Sequence, residues 1–250
     1  MRSTVFAAFA ALAFSSALLP ASNVQAANYG DFSGSTVDFL NVRDQNGLFG
    51  APTVSVDSLD FNPSTFEVQC PGAPGCPPSP AMVDDTLTLT IDAKNGSTID
   101  SVLLSEAGDS VLSSFLNAFA ATSVSATVFV DIFELDGVAV NNINANAQMV
   151  FTRNGQYETN DEGTGTFIWT GSLLLNLDQI VANAGGHGHA TLVTLNINNT
   201  LVAFAQSGAS ARIEKKDFDG LAITIVPEPG TALLMGLGLA GLAGIRRARA

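Results

Sequence analysis

The stretch Val124-Ser-Ala-Thr-Val128-Phe-Val130-Asp-Ile132 carries an apolar residue at every even position, and Asp136-Gly137 follows it as a hairpin turn signal. A period of two sends successive side chains to opposite faces of an extended chain, so this run reads as a strand with one buried face. The same alternation recurs over residues 86–91, 191–197, 201–205, 209–213 and 221–226, and residues 164–169 and 172–177 add two further segments. Ala145, Ala147, Met149 and Phe151 alternate with Asn146, Gln148 and Val150 before the next turn at Asn154-Gly155. Turn residues recur every 8 to 12 residues or so, which is the punctuation of antiparallel sheets. The expected fold is all-β, an antiparallel β-sandwich of jelly-roll-like form. Before residue 80 the pattern weakens: Phe32, Val37, Phe39 and Val42 suit a first strand, residues 54–59 a second and 66–68 a third. Residues 110–121 fit either a short helix or a strand and loop. Glu106-Ala-Gly-Asp-Ser110 reads as a compact turn that ends a strand over 99–104, and the sixteen phenylalanines of the chain read as core.

Two segments at the ends follow different rules. The last begins Val226-Pro227-Glu228-Pro229-Gly230, continues without charge from Gly230 to Ile245, and closes with Arg246, Arg247 and Arg249. The two prolines exclude regular helix or central strand, leaving the tripeptide extended and open to an enzyme. The apolar run favours lipid and is expected to form a single transmembrane helix. At ~1.5 Å per residue it is short for a bilayer core of ~30 Å. The arginines resist translocation and hold the C-terminus on the cytoplasmic side. This order resembles the PEP-CTERM sorting signal of Gram-negative bacterial surface proteins, with Pro227, Glu228 and Pro229 as the name-giving tripeptide. The resemblance implies that an exosortase, a membrane protease, cleaves near the tripeptide after residues 230–245 have served as a temporary anchor. An ordinary anchor that is never cut is the alternative.

The N-terminus agrees with export. Arg2 precedes an apolar stretch over residues 5–19, and Val24-Gln25-Ala26 offers the small residues that a signal peptidase reads. Cleavage is expected after Ala26, with Ala27 as the alternative. The chain therefore divides into a signal peptide (1–26), a secreted sandwich domain (27–225) and a sorting signal (226–250). Cys70 and Cys76 enclose two prolines and two glycines, so the chain can turn back on itself, and an oxidising compartment favours a disulfide between them. A lone Cys-x5-Cys is a poor zinc site, which wants four ligands.

Charge narrows the partners. The chain holds 23 acids and 10 bases. Arg2, Arg246, Arg247, Arg249 and Glu228 leave with the ends, so the mature part keeps 22 acids against six bases, a net charge near −16. Phosphates would be repelled, and nucleic acid is not an expected partner.

Among candidate chemistries, His187-Gly188-His189 offers two imidazoles at i and i+2, but the chain has no third histidine and an acid would have to complete a site. The plain reading is a solvated loop. Asp161-Glu162-Gly163, Asp84-Asp85 and Asp44-Gln45-Asn46-Gly47 are oxygen-rich loops, yet none matches the twelve-residue calcium loop. No metal or cofactor is assigned. No nucleophile elbow or phosphate-cradling loop occurs, no carboxylate pair stands out for glycoside hydrolysis, and no catalytic residue is expected. Trp169 reads as core, with stacking on a sugar ring as the alternative. Lys215-Lys216 reads as a solvated strand edge, with docking on anionic polysaccharide as the alternative. The expected role, following the resemblance, is that of a non-enzymatic cell-surface or extracellular-matrix protein associated with exopolysaccharide. A carbohydrate-binding module is the first alternative and a polysaccharide-active hydrolase the second.

Overall fold

The computed structural model describes residues 26–63, 65–72, 76, 79–94, 96–216 and 221–226. In chain order the first strands are β1 (Ala27–Ser33), β2 (Val37–Asp44), β3 (Pro52–Ser55), β4 (Ser58–Phe61) and β5 (Glu67–Cys70). The long strands β6 (Ala81–Ala93), β7 (Ser101–Ser114) and β8 (Ala120–Leu135) follow. Next come β9 (Val138–Gln148), β10 (Val150–Phe151) and β11 (Gln156–Glu158). Then β12 (Gly165–Asn176), helix α1 (Leu177–Asn183), β13 (Ala190–Ala205), β14 (Ala209–Lys215) and β15 (Leu221–Val226) complete the described chain.

All pairings among these strands are antiparallel, and they make two sheets. The first runs β1-β2-β6-β13-β8, with β9 and β11 sharing the outer edge of β8. The second runs β10-β12-β7. The far edge of β7 is shared by β15 along its first residues and β14 along its last ones. β5 extends from β14, and β4 then β3 extend from β15.

One core lies between the sheets. Leu87, Leu89 and Ile91 of β6, Val128 and Ile132 of β8, and Val193, Leu195 and Ile197 of β13 are fully buried. From the second sheet they meet Leu104, Ile213 and Ile223, likewise buried. Each such side chain contributes on the order of 1.5–3 kcal/mol of transfer energy, so the inward phase of the alternation drives the fold.

Several local expectations are corrected. Residues 106–110 form no turn, because β7 runs unbroken from Ser101 to Ser114 against β12. Residues 110–121 close β7, turn at Leu116 and Asn117 (both at positive φ) and open β8. The segment 54–59 is a hairpin, β3 to β4, rather than one strand. Helix α1 follows β12 without an alternation signal; the Asn176 side chain caps it by accepting from the Gln179 N–H at 2.8 Å. Phe39, Phe49, Phe61 and Phe66 are core, but Phe115, Phe129 and Phe133 are exposed.

The long strands define two ends. Ser101, Leu135, Ala190 and Val226 gather at one end; Ser114, Ala120, Ala205 and Ala209 gather at the other. Cys70 and Cys76 lie at the second end and are joined by a disulfide, as expected. No helix among the described residues is long and apolar enough to cross a membrane. The transmembrane segment 230–245, the tripeptide 227–229, the arginines 246, 247 and 249, and the signal peptide up to residue 25 lie outside the described residues.

Candidate functional site

Three polar centres stand out, two of them built on buried carboxylates. The first holds loop 45–49. Asp85 sits in the inward phase of β6 with Leu87 and Leu89, and its carboxylate accepts the N–H groups of Gln45, Asn46 and Thr86 on Oδ1 and of Leu48 on Oδ2, at 2.7–3.0 Å. Asp44 accepts from Gly47 N–H at 2.8 Å, Phe49 N–H at 3.1 Å, Ala27 N–H at 3.2 Å and the Tyr29 hydroxyl at 2.8 Å. Burial pushes the Asp85 carboxyl up, opposed by the amides that it binds. Burial and the Asp44 carboxylate also raise the Tyr29 phenol. Two of the oxygen-rich segments named as calcium candidates are therefore committed to backbone amides. In the third, Glu162 is held by Arg153 at 2.6 Å and by the Glu158 N–H at 2.7 Å.

The second centre lies at the end where β15 finishes. His189 Nδ1 is 3.2 Å from Asp178 Oδ1 on α1 and 3.3 Å from Asp100 Oδ1, just before β7. The Asp100 oxygen also accepts from Thr98 Oγ1 at 3.0 Å, and Asp136 Oδ1 accepts the His189 N–H at 3.2 Å. Partial burial works against a charge on His189, but Asp178, Asp100 and Asp136 prevail and hold the imidazole above its ordinary value of 6.5. The three ligand atoms of Asp100, Asp178 and His189 lie within 4.8 Å of one another, a donor set that could hold a divalent metal. The same distances serve a doubly ion-paired imidazolium. His187 is exposed and belongs to neither arrangement. Beside this cluster is an open cleft of about 1040 Å³, lined by Asp38, Asp92, Glu134, Asp136 and Lys94 among others.

The third centre is in the core. Lys215 is wholly buried, with Nζ 2.8 Å from Glu106 Oε2, and Glu106 is buried with it. Glu106 Oε1 accepts from Asn199 Nδ2 at 2.7 Å, and Asn199 is fully buried too. The rings of Phe49 and Phe66 each lie 5.3 Å from Nζ. Burial pushes the Lys215 ammonium down from the ordinary lysine range, with Glu106 opposing. The solvated edge expected for Lys215 is thus overturned. Lys216 is exposed, but it is paired with Glu214 and lies 3.3 Å from Asp109, so it offers no free basic patch. Trp169 is fully buried and packs across β7 over Gly108, where a Cβ would strike its indole ring. It is not available to a sugar.

The missed residues had a signal. Lys215 continues the inward row Ala209, Ala211, Ile213; Glu106 continues Val102, Leu104; Asn199 stands between Ile197 and Leu201. Period two alone places all three inside.

The geometry defines an antiparallel sandwich whose last strand leads into the tail. Residues 226–248 match the PEP-CTERM protein-sorting motif. That motif implies export and a C-terminal membrane-anchoring signal processed by an exosortase. No curated protein matches the chain. Among solved structures, the enzymatically active domain of tailspike protein 4 from bacteriophage CBA120 is similar at 11% identity and a TM-score of 0.22, over 79% of this chain and 19% of the tailspike's. A structure of infectious bursal disease virus, Gt strain, is similar at 14% identity and a TM-score of 0.08, over 83% of this chain and 60% of that one. The chain thus spans about a fifth of the tailspike domain's length. Neither likeness bears on function.

Proposed function

We propose that this is a non-enzymatic protein of the cell surface or extracellular matrix, associated with exopolysaccharide and delivered by exosortase processing of its tail. The observation that carries the reading is the sorting motif at residues 226–248, entered directly from β15. In this reading Pro227, Glu228 and Pro229 are the recognition site, residues 230–245 a temporary transmembrane helix, and residues 1–26 a signal peptide. The acidic mature surface suits a soluble extracellular protein. Alternation of consecutive long strands between the sheets (β6, β7, β8 and again β12, β13, β14) supports a jelly-roll-like winding.

Replacing Glu228 by Ala should leave uncut protein in the membrane fraction, whereas wild type is released with a shortened C-terminus. Release of the variant with an unchanged C-terminus would refute the processing step. Co-sedimentation of released protein with the producing strain's exopolysaccharide tests the association, and its absence from that fraction would refute it.

A second reading, a carbohydrate-binding module, is favoured by Phe129 and Phe133. Both are exposed on the outer face of β8, and Phe129 stands opposite Asn146 and Asn196. Aromatic rings beside amides can grip a sugar, and loss of polysaccharide binding in Phe129→Ala with Phe133→Ala would select this reading.

A further inference from the structure

We infer that Lys215 and Asn199 become joined by an intramolecular isopeptide bond, formed with Glu106 as its catalytic acid and base. The three groups occupy the sealed interior and come from three strands, β14, β13 and β7. One carboxyl group touches both prospective reactants, Oε2 at the lysine nitrogen (2.8 Å) and Oε1 at the carboxamide nitrogen (2.7 Å). That is what the reaction needs, because a carboxamide is attacked only by a neutral amine and gives up its nitrogen only after protonation.

The steps balance without any co-reactant. The Lys215 ammonium passes one proton to Glu106, and the neutral amine attacks Asn199 Cγ, forming a C–N bond. Glu106 delivers its proton to Nδ2, the Cγ–Nδ2 bond breaks, and ammonia departs. The attacking nitrogen returns one of its two remaining protons to Glu106 and keeps the other as the amide N–H. Glu106 ends protonated and can donate to the new amide.

The surroundings favour this outcome over a static ion pair. A buried ion pair in hydrocarbon recovers its desolvation cost only when its remaining donors and acceptors are satisfied. Asn199 Oδ1 has no hydrogen-bond partner among the described residues, and Lys215 Nζ and Glu106 Oε2 meet as an ion pair at 2.8 Å without hydrogen-bond geometry. Phe49 and Phe66 exclude water, which would otherwise solvate the ammonium and suppress its nucleophilicity. Burial also lowers the lysine toward its neutral form. The bond would tie β13, at the centre of the first sheet, to β14 in the second, immediately ahead of β15 and the tail. Unlike the disulfide, it would not depend on the redox state outside the cell.

Peptide mapping of the purified full chain after reduction tests this. Wild type should give one branched peptide containing Asn199 and Lys215, about 17 Da lighter than its two parts together because ammonia is lost, with no tryptic cut after the acylated Lys215. Recovery of the two wild-type peptides separately at full mass would overturn the proposal, whether or not any variant folds. Glu106→Ala should abolish the branched peptide, and its persistence there would overturn the role given to Glu106. Asn199→Asp should still cross-link when Glu106 is present, now losing water, about 18 Da; the absence of any branched species in a folded Asn199→Asp protein would overturn the proposed chemistry.

Discussion

Two buried carboxylate centres occupy the same sandwich and are used differently. Asp85 and Asp44 are surrounded mainly by backbone N–H groups of loop 45–49, which lies close to Asp44 in sequence. Glu106 is met by two side chains from distant strands, Lys215 and Asn199. Backbone amides do not titrate and cannot turn away, so carboxylates bound to them hold shape. Side chains can exchange protons, so a carboxylate bound to them can also do chemistry. The difference marks the first centre as architecture and the second as the place to look for reaction.

The contrast can be broken most strongly at Glu106. Glu106→Ala should cost about 3–5 kcal/mol, before any cross-link is counted, because it leaves the Lys215 charge alone in the core. The paired change Glu106→Leu with Lys215→Met should recover most of that loss in a denaturant titration. A double variant no more stable than Glu106→Ala would mean that packing, not charge, dominates there.

Asp85→Ala should cost about 2–3 kcal/mol, since the N–H groups of Asn46, Leu48 and Thr86 lose this acceptor and that of Gln45 keeps only Thr86 O, but the loop can open and let water replace it. Hydrogen exchange should then accelerate at Gln45, Asn46 and Leu48 and stay slow in the centre of β13. Acceleration spread evenly over both sheets would contradict the local role given to Asp85.

The disulfide should matter less. Cys70→Ser is expected to cost about 2 kcal/mol, because a ring this short removes little unfolded-state entropy. Native protein should weigh about 2 Da less than its reduced form. Thiols that alkylate without reductant would refute the bond in solution.

The smallest expected effect is a slope with pH. His189 is held above its ordinary value in the folded state, so its contribution is complete below about pH 6.5 and is lost as pH rises through the raised value. The melting temperature of wild type should fall across that window more than that of His189→Gln. Zinc at low concentration should reverse the fall if the Asp100, Asp178 and His189 atoms take a metal, and leave it unchanged if they form only an ion pair.

Much of this molecule was legible from alternation. The runs at 86–91, 124–132 and 209–213 all fall within strands, and their apolar rows face the core. The exceptions lie where residue type and phase disagree. Residue type puts Lys215 at the surface, because lysines are rarely buried, and makes Glu106-Ala-Gly-Asp a turn, because glycine beside an acid usually is. In β7 the glycine instead makes room for Trp169, and the glutamate keeps its inward place. The Asp100, Asp178 and His189 cluster could not have been read from spacing, because the connection between two sheets, a helix and a loop bring it together from positions with no common period.

One feature of the second sheet has a mechanical meaning. β15 bonds on both edges, to β7 and to β4, and it is the last strand before the tail. A pull on that tail enters the fold at Val226, and its component along the strand loads β15 in shear. Antiparallel hydrogen bonds lie across the strand direction, so the tug shears two ladders at once instead of unzipping one bond after another. Resistance to such a load is a matter of rate, governed by how fast that strand slips. Because β7 also carries β12 and β14, the force spreads into most of the second sheet before any single strand can come away.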